Sequence, residues 1–402
     1  MKIGIIREGK TPPDTRVLFT PEQCSKIKDT FPSIDITVQP STIRCYQNEQ
    51  YINRKLPLQE ELMECDLLAG IKEVPINELV PNKTYMFFSH TIKKQSYNRD
   101  LLRAVLQKNI RLIDYECLTD NKGQRVIAFG RFAGLVGAYN GLIAYGKRTG
   151  RYELKPAHQC EDLKEMKAHC AALNLPAIKV AVTGGGRVSD GIVETLQAAG
   201  FKEVGITEYL EQTFDYPVYV QLRSKDYHTH QERGDFKAEE FYSNPSVYQA
   251  NFTRFLPHTD LLVAGAFWHH EAPVLFTKED LLAPENKLKI IADVTCDIEG
   301  SIPSTIRPST IDNPFYDYDP ASGEECPAFS SEQNITVMAV DNLPNELPKD
   351  ASASFGDQML TYVLPNLLNG DKEGMIKNAT ITSDGQLTNK FAYLQDYVDG
   401  KE

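Results

Sequence analysis

Residues 178–191 read IKVAVTGGGRVSDG, and this stretch decides the fold of the chain. The apolar run that ends at Thr183 predicts a buried strand, and the pattern that continues to about Ala199 predicts a helix. Between them, Gly184 allows a tight turn and Gly186 lets the backbone approach a pyrophosphate. The N-terminus of the helix would supply N–H groups and a positive dipole for the phosphates. The stretch therefore predicts a dinucleotide-binding α/β unit.

The fingerprint is imperfect, because Ser189 occupies its third small position. Glu208 follows about 20 residues later, at the end of a second strand predicted at 203–207, where an acidic side chain can bind ribose hydroxyls. A carboxylate repels a 2′-phosphate, so Glu208 favours NAD, although a loop could bring Arg223 close to the cofactor. Arg187 could contact a phosphate or extend into solvent. The alternative to a cofactor site is a structural glycine turn in an α/β domain.

Short apolar runs alternate with amphipathic segments along residues 1–130. Strands are predicted at 3–6, 36–38, 67–71, 85–88, 110–114 and 126–129, and helices at 21–30 and 97–108. This alternation predicts a parallel sheet with helices on its faces. Later runs at 261–265 and 289–294 predict further strands for the unit that contains the glycine turn.

The small apolar residues of 130–145 predict a closely packed helix that joins two domains. A chain of 402 residues is longer than one hydrophobic core usually spans. We assign 1–135 together with 325–402 to a discontinuous substrate or catalytic domain, and 136–324 to a dinucleotide-binding Rossmann domain. The predicted fold class is α/β, with two Rossmann-like domains, parallel sheets and an active-site cleft between them.

Two strands predicted in the first domain end in ionisable residues. Lys72 follows the run 67–71, and Ser89 and His90 follow the run 85–88. Ligands bind outside the carboxyl ends of strands in open α/β sheets, so Lys72 and His90 form a candidate acid–base pair. The alternative is a solvated lysine at a strand end and an ordinary loop histidine.

Composition narrows the function classes. A net charge of −12 and a pI of about 5.3 argue against a surface for nucleic acid or anionic membranes. The sequence has no apolar run near the roughly 18 residues of a transmembrane helix, and its first residues read as a strand rather than a signal peptide. The eight cysteines are irregularly spaced without a C-x-x-C pair, which predicts reduced thiols and a cytoplasmic protein.

Two histidine clusters invite a metal interpretation. They are His228 with His230, and His269-His270-Glu271. Neither has H-E-x-x-H spacing, and adjacent histidines on a strand point to opposite faces. We therefore expect no metal site.

The segments 7–10 and 16–21 resemble the opening of the alanine dehydrogenase, transhydrogenase and saccharopine dehydrogenase superfamily. Within it, the greater similarity is to the lysine–ketoglutarate reductase domain of the bifunctional lysine-degrading enzyme. That similarity is carried by the segments 83–93, 110–116, 125–130, 341–344, 354–357 and 381–385. The resemblance runs nearly end to end.

The resemblance implies a set of substrate-binding residues. Arg16 would bind a substrate carboxylate, and Glu116, Arg125 and Asp297 would line the cleft. Each has a plain alternative: the two arginines could form ordinary surface or ion-pair contacts, and Asp297 could be a turn residue or a helix cap.

By the same resemblance, Lys72 and His90 are the acid–base residues of a saccharopine dehydrogenase-type enzyme that uses NAD or NADP. Reversible condensation of L-lysine with 2-oxoglutarate requires proton transfers at nitrogen and at a carbinolamine oxygen. Histidine titrates near neutral pH, and burial lowers the pKa of a strand-end lysine. The alternatives are an alanine or other amino-acid dehydrogenase, and a cofactor-binding protein without activity. The joint presence of Lys72, His90 and Arg16 argues against the last of these.

Overall fold

A computed structural model describes residues 1–401, and its internal contacts divide the chain into two units. The first unit comprises Met1–Phe129 and the segment from Pro348 onward, and the second comprises Gly130–Leu347. Residues 130–135 and 325–347, which the sequence analysis assigned to the first domain, thus lie in the second. Residues 130–135 belong there because they begin the helix Gly130–Thr149, which packs against the helix Arg187–Ala198. Residues 325–347 belong there because the strand Ile335–Met338 pairs with strands of the second sheet.

The strands belong to two large sheets and one two-stranded ribbon. In chain order they are β1 (Lys2–Ile5), β2 (Asp35–Val38), β3 (Leu67–Ala69), β4 (Thr84–Phe87), β5 (Arg111–Asp114), β6 (Lys179–Thr183), β7 (Lys202–Glu203), β8 (Val218–Leu222), β9 (His228–His230), β10 (Tyr248–Ala250), β11 (Leu261–Ala264), β12 (Ile290–Asp293), β13 (Phe315–Asp319), β14 (Glu324–Cys326), β15 (Ile335–Met338), β16 (Thr380–Ser383) and β17 (Gln386–Leu387).

The α-helices are mostly short, and several begin at a capping side chain. In chain order they are α1 (Pro21–Thr30), α2 (Asn48–Ile52), α3 (Arg99–Gln107), α4 (Gly130–Thr149), α5 (Leu163–Ala171), α6 (Arg187–Ala198), α7 (Ile206–Glu211), α8 (Ser224–Tyr227), α9 (Ala238–Ser243), α10 (Lys278–Leu281), α11 (Pro348–Gln358), α12 (Leu364–Leu368), α13 (Met375–Ala379) and α14 (Gln395–Asp399). Thr20 and Gln23 form a capping box that fixes the start of α1.

The sheet of the first unit has the order β17–β16–β5–β4–β3–β1–β2. Its strands from β2 to β5 pair in parallel, and β16 joins β5 in the antiparallel sense. Leu67 of β3 lies opposite Thr84 of β4, so the carboxyl ends of these two strands meet at one edge of the sheet. Lys72 follows β3 and His90 follows β4, so both residues lie near that edge of the sheet.

The sheet of the second unit has the order β14–β13–β15–β12–β11–β6–β8–β7. Its strands from β15 to β7 pair in parallel, and β13 and β14 are antiparallel. The neighbour of β6 on one side is β8, with Thr183 opposite Leu222. The two-residue strand β7 lies beyond β8 at the edge.

Helices α4 and α6 of the second unit pack with their backbones almost in contact. A Cβ atom at Gly134 would lie 1.8 Å from the carbonyl oxygen of Val188, and one at Gly191 would lie 2.0 Å from the carbonyl oxygen of Arg131. This close approach is the physical reason for a glycine at position 134 of α4 and at position 191 of α6. It also fixes the start of α6 beside the glycine turn.

The segment 126–129 is not a strand. Val126 donates its N–H to the carbonyl of Leu118 in a local turn, and Ala128 donates its N–H to the side chain of Gln358. The helix α4 then begins at Gly130. The side chain of Gln358 thus accepts the backbone hydrogen bond of Ala128 that the sequence pattern assigned to a neighbouring strand.

Both sheets are largely parallel and each belongs to an α/β unit, which confirms the predicted fold class of two Rossmann-like domains. Among the helices of residues 1–401, none combines the length and apolar character that crossing a bilayer requires.

Candidate functional site

Lys72 lies two residues beyond the glycine that follows β3, and its side chain is partly buried. Burial, followed by the positive charges of Arg16 and Lys10, lowers the pKa of Lys72 to about 8. Asp14 and Glu73 act in the opposite direction. A lysine with this pKa can take up or release a proton near neutral pH, as an acid–base catalyst must.

His90 begins a short turn after β4 with a left-handed backbone, at a φ angle of 54°. Its Nδ1 atom lies 2.6 Å from Oε1 of Glu73. Although burial opposes ionisation of Glu73, its hydrogen bond and charge interaction with His90, together with Lys10, lower the pKa of this carboxyl to about 2. An ionised Glu73 orients the imidazole and leaves Nε2 for proton exchange.

Sequence reasoning did not select Glu73. The available signal was its position directly after Lys72, at the same carboxyl edge of the sheet. Its contact with His90 depends on the turn taken after β4, which no spacing rule predicts. The side chains of Lys10 and Glu73 also form an ion pair, with Lys10 Nζ 3.1 Å from Glu73 Oε2.

Asp114, at the end of β5, forms hydrogen bonds that link the carboxyl ends of β4 and β5. Its Oδ2 accepts the N–H of Ser89 at 3.0 Å and also a hydrogen bond from the Ser89 hydroxyl. Its Oδ1 accepts the N–H of Glu116 at 2.7 Å. Burial, followed by the charge of Glu116, raises the pKa of Asp114 to about 6. The residue thus fixes the backbone on which His90 and Glu116 are carried.

The structure places Arg16 and Arg125 against an aromatic cluster of the first unit. The guanidinium carbon of Arg16 lies 4.2 Å from the ring centre of Phe129, and that of Arg125 lies 5.4 Å from the ring centre of Phe88. Phe88 and Phe129 are themselves 6.0 Å apart, and the His90 ring stacks on Phe88 at 6.2 Å. The cluster therefore brings three of the predicted site residues together.

Ion pairs complete the surroundings of the two arginines. Arg16 is buried, with Nε 3.0 Å from Oδ1 and Nη2 2.5 Å from Oδ2 of Asp14. Nη1 of Arg125 lies 3.7 Å from Oε1 of Glu116, and Lys93 Nζ lies 3.6 Å from the same oxygen. Both arginines thus have the alternative role of ion-pair partner, and a carboxylate ligand would have to share them with these acids.

In the second unit, the glycine turn after β6 has the shape that a pyrophosphate requires. Gly184 has a φ angle of 110°, and a Cβ there would lie 2.4 Å from Oγ of Ser189. At Gly186, which precedes α6, a Cβ would meet no described atom within 4 Å. The Ser189 hydroxyl donates to the carbonyl of Thr183 at 3.3 Å and thereby packs α6 against β6. Arg187 is exposed at the start of α6. The turn therefore fits a dinucleotide phosphate.

Glu208 does not lie at the end of the strand beside β6. It lies in α7, and its Oε2 accepts the N–H of Gly205 at 2.9 Å as part of a helix cap. The predicted strand at 203–207 is wrong, because this cap starts a helix directly after β7. The adjacent strand is β8, and the residue that follows it is Arg223, whose Nε lies 3.3 Å from the Cβ position of Gly185.

A concavity lies at the carboxyl ends of β6, β8 and β11, next to the glycine turn. Its lining includes Thr183, Tyr227, Phe241, Phe267 and Trp268. Apolar and aromatic walls with a few polar groups are typical of cofactor sites. Sequence reasoning missed this pocket, because its aromatic residues come from α8, α9 and the loop after β11, without a common motif.

Asp297 lies in the loop after β12 and belongs to the second unit, whereas Arg16, Glu116 and Arg125 belong to the first. The loop is held by Asp293, whose Oδ1 accepts N–H groups of Thr295 and Cys296.

His269, His270 and Glu271 also lie in a loop and not in a strand, so the argument that adjacent side chains diverge does not apply to them. Their potential ligand atoms lie within 4.8 Å of one another, but the group sits at the surface.

Comparison with known proteins gives two family matches. The profile described as "Alanine dehydrogenase/PNT, N-terminal domain" matches residues 4–136. The profile described as "Alanine dehydrogenase/PNT, C-terminal domain" matches residues 157–390, which is more than half of the chain.

Curated relatives carry names from lysine metabolism. "Alpha-aminoadipic semialdehyde synthase, mitochondrial" of Mus musculus is 31% identical over 91% of this chain and 45% of its own length. The synthase of Arabidopsis thaliana is 29% identical over 98% of this chain and 41% of its own length. The chain thus spans less than half the length of these two relatives. "Saccharopine dehydrogenase [NAD(+), L-lysine-forming]" of Emericella nidulans is 24% identical, with 90% of this chain and 91% of that protein covered.

Solved structures show the same fold. An L-alanine dehydrogenase superposes with a TM-score of 0.66 at 13% identity, with both chains covered completely. A transhydrogenase from Sinorhizobium meliloti gives a TM-score of 0.62 at 13% identity, covering 96% of this chain and 100% of that one. The family matches confirm the resemblance that the sequence motifs indicated. The chain therefore belongs to the alanine dehydrogenase/PNT family.

Proposed function

We propose that this chain is a saccharopine dehydrogenase-type oxidoreductase that reversibly joins L-lysine and 2-oxoglutarate, or oxidises saccharopine. The observation that carries the proposal is a partly buried Lys72 after β3 and, after the adjacent parallel strand β4, a His90 that is oriented by Glu73. Relatives named for saccharopine and aminoadipic semialdehyde support the substrates.

Each residue of the first unit has a role in this proposal. Forming saccharopine requires a neutral amine, loss of water from a carbinolamine and proton delivery to nitrogen. Lys72, with a pKa of about 8, exchanges a proton with the amine, and His90 serves the carbinolamine oxygen through Nε2. Glu73 keeps the imidazole in one orientation. When bound, the nicotinamide cofactor supplies or accepts the hydride at the substrate carbon.

In this proposal, Arg16 and Arg125 bind the carboxylates of the substrate. Arg16 and Arg125 present planar guanidinium groups whose stacking on Phe129 and Phe88 restricts their orientation. A guanidinium can hold a carboxylate through two parallel hydrogen bonds, which positions the reacting carbon. Glu116 would then balance an ammonium group of the substrate. Asp297 is retained as a substrate-binding residue on the family resemblance alone.

We further propose that the cofactor is NADP(H) rather than NAD(H). Glu208, the residue whose position in the sequence favours NAD, has its carboxylate engaged in the cap of α7. Arg223 follows the strand adjacent to β6 and reaches over the glycine turn. At this position of a dinucleotide fold, an arginine accommodates a 2′-phosphate, whereas an acid binds the free ribose hydroxyl. Gly184, Gly186 and Arg187 would form the phosphate cradle, and the buried Ser189 would support it by packing α6 against β6.

A second candidate is an alanine or other amino-acid dehydrogenase, which the family description and the superposition with an L-alanine dehydrogenase favour. A spectrophotometric screen separates the candidates. The purified chain is given NADPH or NADH with 2-oxoglutarate plus lysine, then with pyruvate plus ammonia, and saccharopine with the oxidised cofactors. We expect turnover with lysine plus 2-oxoglutarate. Turnover with pyruvate and ammonia alone would overturn the proposal.

A further inference from the structure

Glu8 lies just beyond β1, and its carboxyl group accepts hydrogen bonds from the backbone of the segment that carries Lys72. Its Oε1 accepts the N–H of Ile71 at 2.6 Å, and its Oε2 accepts the N–H of Lys72 at 2.8 Å. The residue is buried, at 9% exposure. One carboxyl group thus satisfies two successive peptide N–H groups at the point where the strand pairing ends.

The neighbouring backbone is shaped to admit this carboxyl group. A Cβ at Gly70 would lie 3.0 Å from Oε1 of Glu8 and 2.7 Å from Cγ1 of Ile6. Gly70 also donates its N–H to the carbonyl of Met86 in β4, at 3.1 Å. The segment is therefore held by β4 from one side and by Glu8 from the other, and a glycine is required for both to approach.

Glu8 differs from the other acidic residues near Lys72. Asp14 and Glu73 act on the ammonium group through their charge, against Arg16 and Lys10. Glu8 instead holds peptide groups, so it determines where the side chain of Lys72 starts. Burying an ionised carboxyl group costs free energy. Burial, followed by the charge of Asp14, accordingly raises the pKa of Glu8 to about 8.

We infer that Glu8 is the positioning residue of Lys72: its two hydrogen bonds fix the backbone that keeps the amine in its partly buried site. This inference rests on the proposed acid–base role of Lys72. Without the two bonds, the segment relaxes, the amine becomes more hydrated, and its pKa returns toward the ordinary value for lysine of about 10.4. Misplacement of a reacting group by about 1 Å can lower turnover by about 10²-fold.

The test uses Glu8→Gln in the full chain. Glutamine keeps the size of the side chain but turns an NH₂ group toward an N–H donor. The pKa of the Lys72 amine is measured from the pH dependence of its acetylation, resolved by peptide mass spectrometry, and kcat and cofactor affinity are measured alongside. Glu60→Gln is the matched control, because Glu60 pairs with Arg7 at the surface, 2.6 Å away, and has no bond to the Lys72 segment.

We expect Glu8→Gln to raise the pKa of Lys72 above about 8, to lower kcat about ten- to hundredfold, and to leave cofactor affinity unchanged. Gly70→Ala should reproduce these effects with Glu8 in place, and it decides the question if Glu8→Gln does not fold. A folded variant with the wild-type pKa of Lys72 and wild-type kcat would overturn the inference. The acetylation measurement does not depend on enzyme activity, so it tests the role of Glu8 even if the proposed function fails. Turnover by Lys72→Met would overturn the proposed function and not the inference about Glu8.

Discussion

The Nδ1 atom of His90 lies 2.6 Å from Oε1 of Glu73, the residue directly after Lys72. One strand end therefore delivers both a candidate acid–base lysine and the carboxylate that orients its histidine partner. The left-handed backbone of His90 is part of this arrangement, because it turns the ring back toward the end of β3. A non-glycine residue in this conformation is uncommon.

Glu73→Gln should lower kcat at least about tenfold, because an amide can donate toward Nδ1 and no longer enforces one tautomer of His90. Cofactor affinity should not change, since the glycine turn belongs to the other unit. The measurement is steady-state turnover with the cofactor titrated separately. Glu78→Gln is the control, because Glu78 is an exposed carboxylate of the same unit. Full activity of Glu73→Gln would remove this residue from the site.

The pH dependence of kcat/KM should show a group that titrates near pH 8, which we assign to Lys72. The charge of Lys10 disfavours the ammonium form of Lys72, so removing that charge raises the pKa. Lys10→Met should therefore move this limb of the profile to higher pH, by up to about one unit. Lys2→Met, which removes an exposed lysine paired with Glu64, should leave the limb in place. A limb that stays near pH 8 in Lys10→Met would contradict the assignment.

Arg223→Ala should weaken NADPH binding about ten- to hundredfold, the usual loss for a charged hydrogen bond, and leave NADH binding nearly unchanged. Fluorescence titration of both cofactors measures the ratio. Lys225→Ala is the matched control, because it removes an exposed positive charge two residues away. Glu208→Gln should leave the ratio unaltered. A change of cofactor preference in Glu208→Gln, with none in Arg223→Ala, would restore the interpretation drawn from the sequence.

Gly134→Ala should destabilise the second unit, because its Cβ would lie 1.8 Å from the carbonyl oxygen of Val188 and 2.8 Å from the nitrogen of Ile192. Both are backbone atoms of α6, so the two helices must separate, at a cost of about 1–3 kcal/mol or more. Thermal unfolding measures the loss. In Gly205→Ala, the nearest contact would be Oε2 of Glu208 at 3.4 Å, and Tm should fall far less. Equal Tm values for the two variants would contradict the packing argument.

The parts of the site that follow from local pattern could be predicted from the sequence. Lys72 and His90 each end an apolar run, and parallel strands deliver such residues to one edge. The turn from Gly184 to Ser189 follows in the same way, because strand, glycines and helix are contiguous. The helix α1 was predicted with its observed bounds, and the structure shows that the capping box of Thr20 and Gln23 fixes its start.

The parts that depend on contacts distant in sequence could not be predicted. Glu208 was misplaced because sheet order is not sequence order: β7 is a two-residue edge strand, and β8 lies beside β6. Glu8 and Lys72 are 64 positions apart, and their bond depends on β1 and β3 being neighbours. The assignment of residues 325–347 failed for a similar reason, because β15 pairs with β12 across more than 40 positions.

The most direct test of the account is turnover of lysine and 2-oxoglutarate by wild type, Lys72→Met and His90→Gln, with the product identified by mass spectrometry. We predict that the wild type forms saccharopine. We predict that each variant loses about 10²–10⁴-fold in kcat, the usual effect of removing a general acid–base group, while cofactor affinity is unchanged. Near-normal saccharopine formation by both variants would contradict the acid–base assignment, and absence of saccharopine from the wild-type reaction would contradict the proposed function.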